Sequence, residues 1–373
     1  MRIGFDAKRA FLNNTGLGNY SRDTIRVLSH YYSSYKYFLY TPKDNQNTRI
    51  SELTKRKNID IQKPQSLIDR TLKSYWRSKN IVNDLCTDKI DIYHGLSNEL
   101  PLGIEKTSIK TVVTIHDLIF IRYPGLFNAI DRNIYYKKFK SSCERADRII
   151  AISEQTKKDI IDYFFTPEEK ITVVYQGCNQ VYQSKIAYKE RIPTIEKYNL
   201  PKSFLLYVGS IEERKNLITL LQTLIELPNQ KLVIIGNGKS YKKRCLEFID
   251  TNNLSNRVIL LSRISLKDMA VIYQCAEIMI YPSIFEGFGI PILESLFSKT
   301  PVISSKGGCF SEAGGLNSKY IDPLSVKDIK SAIIEIQKST DLKKNMQKRG
   351  FKYAQNFTDD KIAKNLMSVY RNL

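Results

Sequence analysis

Residues 281–304 read Tyr-Pro-Ser-Ile-Phe-Glu-Gly-Phe-Gly-Ile-Pro-Ile-Leu-Glu-Ser-Leu-Phe-Ser-Lys-Thr-Pro-Val-Ile-Ser. The apolar run Ile278–Tyr281 predicts a buried strand that leads into a glycine-containing loop. Pro291 suits the first position of a helix, because its fixed φ is helical and its missing N–H would find no partner there. The run Pro301–Ser304 then predicts the next strand. This order of strand, loop, helix and strand is typical of an α/β fold with a parallel sheet.

The loop and the helix start have the features of an anion-binding site. Glycines let the backbone approach a ligand closely, and a helix N-terminus offers free N–H groups with a partial positive charge. We therefore expect the amides of Gly287, Phe288 and Gly289 to bind phosphate. Glu286 lies before the helix and Glu294 is expected in its first turn, and both carboxylates suit hydroxyl groups. A ligand with phosphate and hydroxyls, such as a sugar nucleotide, fits both features.

The alternation of short β-branched runs with amphipathic runs continues through all 373 residues. It predicts the fold class α/β, with two doubly wound, Rossmann-like domains that face a central cleft. The polar stretch Gln183–Pro201 contains the helix-breaking residues Pro193 and Pro201, and we interpret it as a linker. We therefore assign residues 1–185 to the first domain and residues 186–357 to the second.

The composition is that of a globular protein without a membrane-spanning segment. Hydrophobic residues make up 42% of the chain and charged residues 26%, and the longest apolar runs have only the length of a strand. The first residues have the pattern of a strand and not of a signal peptide, which predicts a cytoplasmic protein. The six cysteines form no Cys-x-x-Cys pair, so we expect reduced, mostly buried thiols.

The net charge of +20 predicts attraction to a polyanion, which could be a nucleic acid, an anionic membrane surface or a phosphorylated substrate. The densest basic stretch, Arg49–Lys79, includes Tyr75 and Trp76, and a second basic and aromatic cluster covers residues 135–140. Basic residues interleaved with aromatic ones favour a peripheral contact with an anionic membrane. A lysine-rich composition bias and solvated helix faces are the simpler interpretations.

Two glycines stand between the first predicted strand and the following helix. Gly16 and Gly18 form a GxGxxS pattern that departs from the dinucleotide-binding fingerprint, and the second predicted strand, Tyr37–Thr41, ends without an acidic residue. We expect a loop whose amides face the cleft, near a diphosphate or an acceptor. A tight turn with a purely structural role is the alternative.

Two of the three histidines come at the ends of predicted strands, where sites form in open α/β sheets. His116 ends the strand that starts at Thr111, and its ring could hydrogen-bond a sugar hydroxyl or a backbone carbonyl, with Asp117 to orient it. His94 is a weaker candidate of the same kind. A histidine that is satisfied within a loop is the alternative.

The loop after the first strand of the second domain carries two cations. Arg214 and Lys215 follow Ser210 at a helix start, where a guanidinium can fork onto phosphate oxygens and an ammonium adds a point charge. Gly236 opens a second loop at the same edge of the predicted sheet. We expect this edge to bind a diphosphate, and solvated surface charge is the alternative for the two cations.

The sequence contains no Asp-x-Asp pair, and its histidines and cysteines are scattered. Both the metal clamp of many sugar-nucleotide enzymes and a zinc site are therefore unexpected, and we predict no metal and no cofactor. The charge of a leaving group would then be stabilised by Arg214, Lys215 and helix amides.

The run from Ser283 to Ser304 resembles the Glu-x7-Glu signature of retaining glycosyltransferase family 4. The similarity extends over nearly the whole chain in a specific order. It includes the segments Gly16–Ser21, Thr114–Leu118, Ala151–Glu154, Val173–Gly177, Tyr207–Asn216 and Ile234–Gly238. The resemblance implies a metal-independent enzyme of two domains, the GT-B architecture, with the donor held mainly by the second domain. It also implies that the last helix, 358–373, packs back on the first domain.

The resemblance also implies a role for each site residue. Glu286 would contact the donor sugar and Glu294 the ribose, while Lys215 and Arg214 would bind the diphosphate. His116 would lie at the acceptor side of the reacting carbon. Such enzymes are thought to retain the anomeric configuration by front-face attack, with the leaving phosphate taking the acceptor proton.

At one position the sequence differs from the family pattern, which weakens part of the roles that the resemblance implies. Many members have an arginine at the position of Ser210, so the diphosphate here would depend on the two cations that follow it.

The function expected from this resemblance is the transfer of a hexose from a nucleotide diphosphate-sugar to a glycan or lipid-linked acceptor. The region 114–123 looks most like bacterial mannosyltransferases of polysaccharide assembly, which favours GDP-mannose over a UDP-linked sugar. A UDP-sugar epimerase of the same architecture is one alternative. A polyanion-binding protein without catalysis is another, but no nucleic-acid recognition motif supports it, so we expect no nucleic-acid partner.

Overall fold

The structure, a computed structural model, describes residues 1–43 and 48–373. The chain forms two compact units. Unit 1 consists of Met1–Gly177 and Asp359–Leu373, and unit 2 consists of Cys178–Thr358.

Each unit is built on one sheet. The strands of unit 1 are β1 (Arg2–Asp6), β2 (Lys36–Tyr40), β3 (Ile59–Gln62), β4 (Ile92–Gly95), β5 (Lys110–Ile115), β6 (Arg148–Ala151) and β7 (Ile171–Val173). The strands of unit 2 are β8 (Leu205–Val208), β9 (Leu232–Ile235), β10 (Val258–Leu261), β11 (Ile278–Tyr281), β12 (Val302–Ser305) and β13 (Lys319–Ile321).

Helices connect the strands. Up to the end of β7 they are α1 (Lys8–Leu12), α2 (Gly16–Tyr31), α3 (Thr48–Thr54), α4 (Leu67–Thr71), α5 (Lys73–Tyr75), α6 (Ile81–Thr87), α7 (Ile119–Arg122), α8 (Ala129–Arg145) and α9 (Glu154–Phe164). The others are α10 (Tyr188–Lys197), α11 (Leu217–Ile225), α12 (Ser240–Thr251), α13 (Leu266–Cys275), α14 (Ile290–Phe297), α15 (Phe310–Gly314), α16 (Val326–Lys338), α17 (Thr340–Ala354) and α18 (Asp359–Arg371). Short 3-10 turns and one π-helical turn, Trp76–Asn80, complete the connections.

Both sheets are parallel and doubly wound, as the sequence predicts. The strand orders are β3-β2-β1-β4-β5-β6-β7 and β10-β9-β8-β11-β12-β13. In each sheet the order reverses beside the first strand, between β1 and β4 and between β8 and β11. Ligands of open α/β sheets bind at the carboxyl ends of the strands at such a reversal. The strand order therefore indicates one candidate ligand-binding edge in the sheet of each unit.

The strands are buried because helices cover both faces of each sheet, and this explains their nearly continuous apolar sequences. In unit 2, α11 and α16 pack against the sheet through a cluster that includes Leu220, Leu224, Ile329 and Ile333. Strand β13 was not predicted, because its three residues, Lys319–Ile321, are too few and too polar to give a strand pattern.

The prediction that Gly16–Ser21 forms a loop is wrong. Helix α1 follows β1, and α2 begins at Gly16, so both glycines lie in the first turn of a helix. A Cβ atom at Gly18 would lie 1.9 Å from the carbonyl oxygen of Asn13. Gly18 is therefore required by the tight turn between the two helices, while Gly16 has open space around it.

The interpretation of Gln183–Pro201 as an irregular linker is also wrong in part. Helix α10 occupies residues 188–197 and contains Pro193 near its middle. The chain passes into unit 2 after Gly177, because Tyr182 already packs edge-on against Tyr273 of that unit, with ring centroids 5.6 Å apart.

The last helix, α18, belongs to unit 1 and packs on α2. Both guanidinium Nη groups of Arg26 donate to Asp359 at the start of α18, at 2.5 and 2.9 Å. An aspartate at this position also suits the helix dipole.

The basic sequence around Trp76 suggested that its side chain lies on a membrane-facing surface, but the structure does not place it there. It is fully buried, and its indole N–H donates to Asp84 at 2.6 Å.

Candidate functional site

The carboxyl ends of β8 and β11 bring the predicted cations and the predicted acid together. The loop after β8 leads to a 3-10 turn with Arg214 and Lys215, and the loop after β11 carries Glu286. The two loops are joined, because Ile284 N donates to Arg214 O at 2.8 Å and Ser283 Oγ lies 3.2 Å from the same oxygen.

Glu286 is the centre of a compact charged cluster. Its Oε1 lies 2.7 Å from Arg214 Nη1 and 2.9 Å from Lys215 Nζ, and Ser283 Oγ donates to it at 2.6 Å. Only about a tenth of each of the three charged side chains is exposed. Two cations surround one carboxylate, so these three side chains keep a net positive charge. A buried site with this charge suits an anion.

Lys215 also contacts Tyr281. Its Nζ donates to Tyr281 OH at 2.7 Å and lies 4.9 Å from the centre of the Tyr281 ring. An ammonium group has three hydrogens. Two of them are accounted for by Tyr281 and Glu286, and the third has no partner among the residues that the structure describes.

The electrostatics of Glu286 follow from these contacts. Burial alone would raise its pKa, but Lys215 and Arg214, together with the Ser283 hydroxyl, lower it to about 2. Glu286 is therefore ionised at any physiological pH and acts only as a hydrogen-bond and charge partner.

The loop between Glu286 and α14 has the predicted glycine-dependent shape. Gly289 adopts a φ of 106° directly before the helix, a conformation that favours glycine. Cys309 Sγ lies 3.2 and 3.1 Å from the carbonyl oxygens of Glu286 and Phe288, so its S–H can donate to either of them. Burial raises the pKa of the Cys309 thiol, which keeps it protonated as a donor. The Phe288 side chain is buried against Phe357, so its backbone is the part that a ligand can use.

Two details of the predicted helix start differ from the structure. Pro291 is the second residue of α14, after Ile290, and Glu294 is the fifth, beyond the first turn. Glu294 is half-buried, and Tyr273 OH on α13 donates to its Oε2 at 2.8 Å. Glu294 is thus held from a neighbouring helix.

The remaining predicted residues of unit 2 lie in the loops around this cluster. Tyr207 OH donates to Ser210 O at 3.3 Å, which places Ser210 in the loop between β8 and Arg214. A Cβ atom at Gly236 would lie 2.0 Å from Gly209 O. Gly236 is therefore needed for the close approach of two backbone loops, independently of any ligand.

The structure places His116 in unit 1, directly after β5, and buries it. Its Nε2 lies 2.9 Å from Leu96 O, and its backbone N–H donates to Asn98 at 2.9 Å. Tyr20 packs edge-on against the ring. Burial lowers the His116 pKa to about 4, with a further contribution from Arg9, so the ring is neutral at pH 7. The predicted orienting residue, Asp117, accepts from Ile119 N at 3.1 Å, and Leu96 O orients the histidine.

His94 is a structural residue, and its prediction as a weaker site candidate is wrong. It is fully buried, with Nδ1 2.6 Å from Tyr370 OH and Nε2 2.8 Å from Thr114 Oγ1. Tyr20 OH lies 2.8 Å from the same threonine oxygen. This network connects α2, the sheet and α18.

Four residues of the unit 2 site have no role in the sequence analysis: Ser283, Tyr281, Cys309 and Tyr273. Tyr281 and Ser283 lie within the stretch that predicts the site, so their proximity to Glu286 could have been inferred. The contacts of Cys309 and Tyr273 come from other loops and helices and leave no local sequence signal.

Within residues 1–43 and 48–373, no group of three or more His, Cys, Asp or Glu side chains could hold a metal ion. The described helices also include none with the length and apolar character needed to cross a bilayer.

Comparisons with known proteins agree with the fold. The family model for glycosyl transferases group 1 matches residues 189–353, and the model for glycosyltransferase family 4 matches residues 15–180. The O-antigen chain mannosyltransferase B of Escherichia coli is 27% identical over 289 residues, which cover 76% of this chain and 74% of that protein. The O-antigen chain mannosyltransferase RfbU of Salmonella typhimurium is 29% identical over 231 residues, 61% of each chain.

A solved structure of Anabaena HepE in complex with UDP superimposes over the full length of both chains, with a TM-score of 0.79 and 16% identity. Two Rossmann-like units and this neighbour define the GT-B class of glycosyltransferases. The chain belongs to glycosyltransferase family 4, group 1, whose two models together cover most of it. The prediction of an enzyme of this class is confirmed.

Proposed function

We propose that this enzyme transfers mannose from GDP-mannose to a glycan or lipid-linked acceptor in polysaccharide synthesis, with retention of the anomeric configuration. The observation that carries the proposal is the Glu286 cluster. It joins two cations to one carboxylate beside a glycine-led helix start, which matches a ligand that carries both phosphates and hydroxyls.

Each residue of the cluster has a distinct task in this mechanism. Arg214 and the remaining hydrogen of Lys215 bind the diphosphate, together with the amides of residues 287–289. Glu286 accepts a hydrogen bond from a hydroxyl of the donor sugar, and Glu294 accepts hydrogen bonds from the ribose. The short hydrogen bonds from Lys215 to Tyr281 and from Ser283 to Glu286 support this assignment, because they hold the cation and the acid in place before the ligand binds.

The chemistry then depends on charge stabilisation. As the glycosidic bond breaks, negative charge grows on the leaving diphosphate, and fixed cations in a buried site lower the energy of that state. The leaving phosphate accepts the proton of the attacking acceptor hydroxyl. His116 is neutral at pH 7, which suits a hydrogen bond to a substrate hydroxyl and not a charge on phosphate.

The choice of mannose rests on the O-antigen mannosyltransferases among the relatives, and a UDP-linked sugar is the second candidate because of the UDP complex of HepE. Thermal shift with GDP, UDP, ADP and TDP tests the base, and the matching sugar donors test the sugar. We expect GDP to stabilise the protein most and GDP-mannose to be turned over, with the product anomer read by NMR. Stronger stabilisation by UDP, with turnover of a UDP-sugar, would replace the donor. Stabilisation by none of the four would overturn the proposed function.

We further propose that transfer needs no metal ion, because Arg214 and Lys215 supply the positive charge. Turnover of purified enzyme should be unchanged by EDTA and by added Mg²⁺ or Mn²⁺. A loss with EDTA that Mg²⁺ or Mn²⁺ restores would contradict this part.

A cytoplasmic enzyme with a lipid-linked acceptor would work at the membrane, and we propose a peripheral contact through α4 and α5. Leu67 and Ile68 are 81% and 66% exposed, Leu72 and Tyr75 are also exposed, and basic residues such as the exposed Arg70 lie between them in the sequence. Apolar side chains rimmed by cations suit an anionic bilayer.

Sedimentation with vesicles tests this surface. The protein should bind vesicles with phosphatidylglycerol and not neutral phosphatidylcholine, and Leu67→Ser/Ile68→Ser should reduce binding strongly. Leu316→Ser, at an exposed leucine of unit 2, is the control. Equal binding by both variants would exclude α4 as the contact.

A further inference from the structure

Unit 2 contains a cavity of about 330 Å³ that is distinct from the Glu286 cluster. Its walls come from residues 183–191, the C-terminal ends of α13 and α14, and α17. These helix ends lead into the amino ends of β11 and β12, whereas Glu286 lies at the carboxyl ends of the strands. The cavity and the cluster therefore lie at opposite edges of one parallel sheet.

The charges around the cavity all have the same sign. Lys185, Arg191 and Lys299 line it, and no acidic residue does. Arg191 is held by neutral groups, since it donates to Ile186 O and to the backbone and side-chain oxygens of Gln274, at 2.8–3.1 Å. Within the described ranges 1–43 and 48–373, none of the three cations forms an ion pair. Their combined charge is thus left for a bound anion.

Two polar side chains, Ser298 and Gln347, accompany the cations in the cavity wall. Ser298 lines the cavity, and its Oγ is buried without a hydrogen-bond partner among the described residues. A buried hydroxyl without a partner is unfavourable, so a ligand group that pairs with it adds affinity. Gln347 also lines the cavity, and its amide can both donate to and accept from hydroxyl groups. Phe297 and Phe351 supply apolar walls.

We propose that this cavity binds a hexose phosphate. The three cations bind the phosphate oxygens, and the Ser298 hydroxyl and Gln347 amide bind sugar hydroxyls. The apolar walls face the C–H groups of the sugar ring. The volume is within the range of small-molecule sites.

The cavity shares its walls with the elements that hold Glu294. Helix α14 carries Glu294 and ends at the cavity, and its eight residues span only about 12 Å. Gln274 of the cavity wall directly follows Tyr273, which donates to Glu294. A ligand that orders these helix ends therefore changes the affinity of the nucleotide site. This coupling, unlike the binding itself, rests on the proposed function.

Calorimetric titration with mannose 6-phosphate tests the binding. Lys185→Gln/Lys299→Gln changes two exposed side chains and should weaken binding at least tenfold. Ser298→Ala removes only the unpartnered hydroxyl and should weaken binding several-fold without lowering the melting temperature. Lys348→Gln, an exposed lysine of α17 outside the cavity, is the matched control and should bind like the wild type.

Three outcomes would overturn the site. The first is that mannose 6-phosphate does not bind at about 10 mM. The second is that the double variant and the wild type bind it with equal affinity. The third is that only Lys215→Met loses binding, which would place the ligand at the Glu286 cluster. Inorganic phosphate and free mannose form two further arms. Phosphate that binds as tightly as the sugar phosphate would overturn the sugar assignment.

Titration of GDP with and without saturating mannose 6-phosphate tests the coupling. The GDP affinity should change at least fivefold, and by linkage GDP should change the affinity of the sugar phosphate by the same factor. Equal GDP affinities would overturn the coupling. If GDP does not bind at all, the proposed function fails, while the titration of the sugar phosphate still decides the cavity.

Discussion

Both units place one buried charged cluster beside the point where their strand order reverses, but the two clusters have opposite excess charge. In unit 2, Arg214 and Lys215 share Glu286. In unit 1, Arg77 lies between Asp6 and Glu99, with both contacts at 2.6 Å. Among the largely buried side chains, the first cluster has one cation in excess and the second has one carboxylate in excess. The exposed Glu212 lies 3.7 Å from Arg214, and the exposed Lys138 lies 3.5 Å from Glu99.

This difference in charge distinguishes a ligand-binding cluster in unit 2 from a structural cluster in unit 1. An excess cation in a buried place is unfavourable until an anion arrives, so the unit 2 cluster is suited to a phosphate ligand. The Arg77 cluster uses its one largely buried cation to compensate two acids, one of which, Asp6, is almost completely buried. Removal of a cation should therefore affect stability in unit 1 and catalysis in unit 2.

The largest expected effect is on stability, from Arg77→Met. Asp6 would remain buried next to Glu99 with no cation between them, and breaking a buried ion pair costs about 3–5 kcal/mol. Urea unfolding should show this loss, whereas Arg70→Met, at an exposed arginine of the same unit, should change stability by less than about 0.5 kcal/mol. Equal stability of both variants would mean that the Arg77 cluster is not a structural pair.

Lys215→Met is the corresponding change in unit 2 and should act on turnover. Loss of one fixed contact to the developing charge lowers kcat by about 10². Steady-state kinetics with the donor identified by thermal shift measures this effect, and Lys348→Gln again serves as the control. An unchanged kcat with a raised KM would show that Lys215 only binds the donor and does not stabilise the transition state.

The parallel sheets and the Glu286 loop could be predicted from the sequence because their signals are local. The strand–loop–helix pattern of residues 281–304 contains a glycine before the helix, and the structure needs it there, with a φ of 106° at Gly289. The start of α2 could not be predicted in the same way. Gly16 and Gly18 resemble a ligand loop, but Gly18 is required by the tight turn between α1 and α2, and Gly16 has open space around it.

Residues that act through long-range contacts could not be predicted from the sequence. The role of Tyr273 depends on α13 lying next to α14, and the burial of Trp76 depends on a π-helical turn and on Asp84. The pairing of His94 with Tyr370 joins residues that are far apart in the chain. Composition and spacing contain no signal for such contacts.

The two buried histidines of unit 1 predict a pH dependence of stability that begins near pH 6.5, which unit 2 lacks because none of its residues is a histidine. Burial lowers the pKa of His116 to about 4 and that of His94 to about 3. Below pH 6.5 the unfolded chain binds protons that the folded chain does not, so stability falls as the pH falls, down to about pH 4 for His116 and about pH 3 for His94. Each histidine contributes up to about 1.4 kcal/mol per pH unit.

Urea unfolding between pH 7 and pH 4.5 measures this dependence. His116→Asn should reduce the slope, whereas His30→Asn, at an exposed histidine, should leave it unchanged. Equal slopes in all three proteins would mean that folding does not lower the pKa of His116. The ring would then gain a proton near pH 6.5, and burial would not be what keeps it neutral.

A smaller effect is expected at Glu294, the residue of unit 2 that we propose to contact the ribose. Glu294→Ala should weaken nucleotide binding about tenfold, because a hydrogen bond to a charged group is lost, and should leave kcat nearly unchanged. Calorimetry with the nucleotide and steady-state kinetics together separate the two quantities, with Glu247→Ala as an exposed control. A fall in kcat without a change in affinity would contradict the ribose contact.

The smallest expected effect comes from Tyr273→Phe, which keeps the ring that packs on Tyr182 and removes only the donor to Glu294. We expect a three- to fivefold loss of nucleotide affinity, about the value of one hydrogen bond. A double-mutant cycle distinguishes positioning from packing. If Tyr273 acts through Glu294, Tyr273→Phe should have no further effect on affinity in the Glu294→Ala background. If it only supports α13, the same loss should appear in both backgrounds, and the positioning role would be excluded.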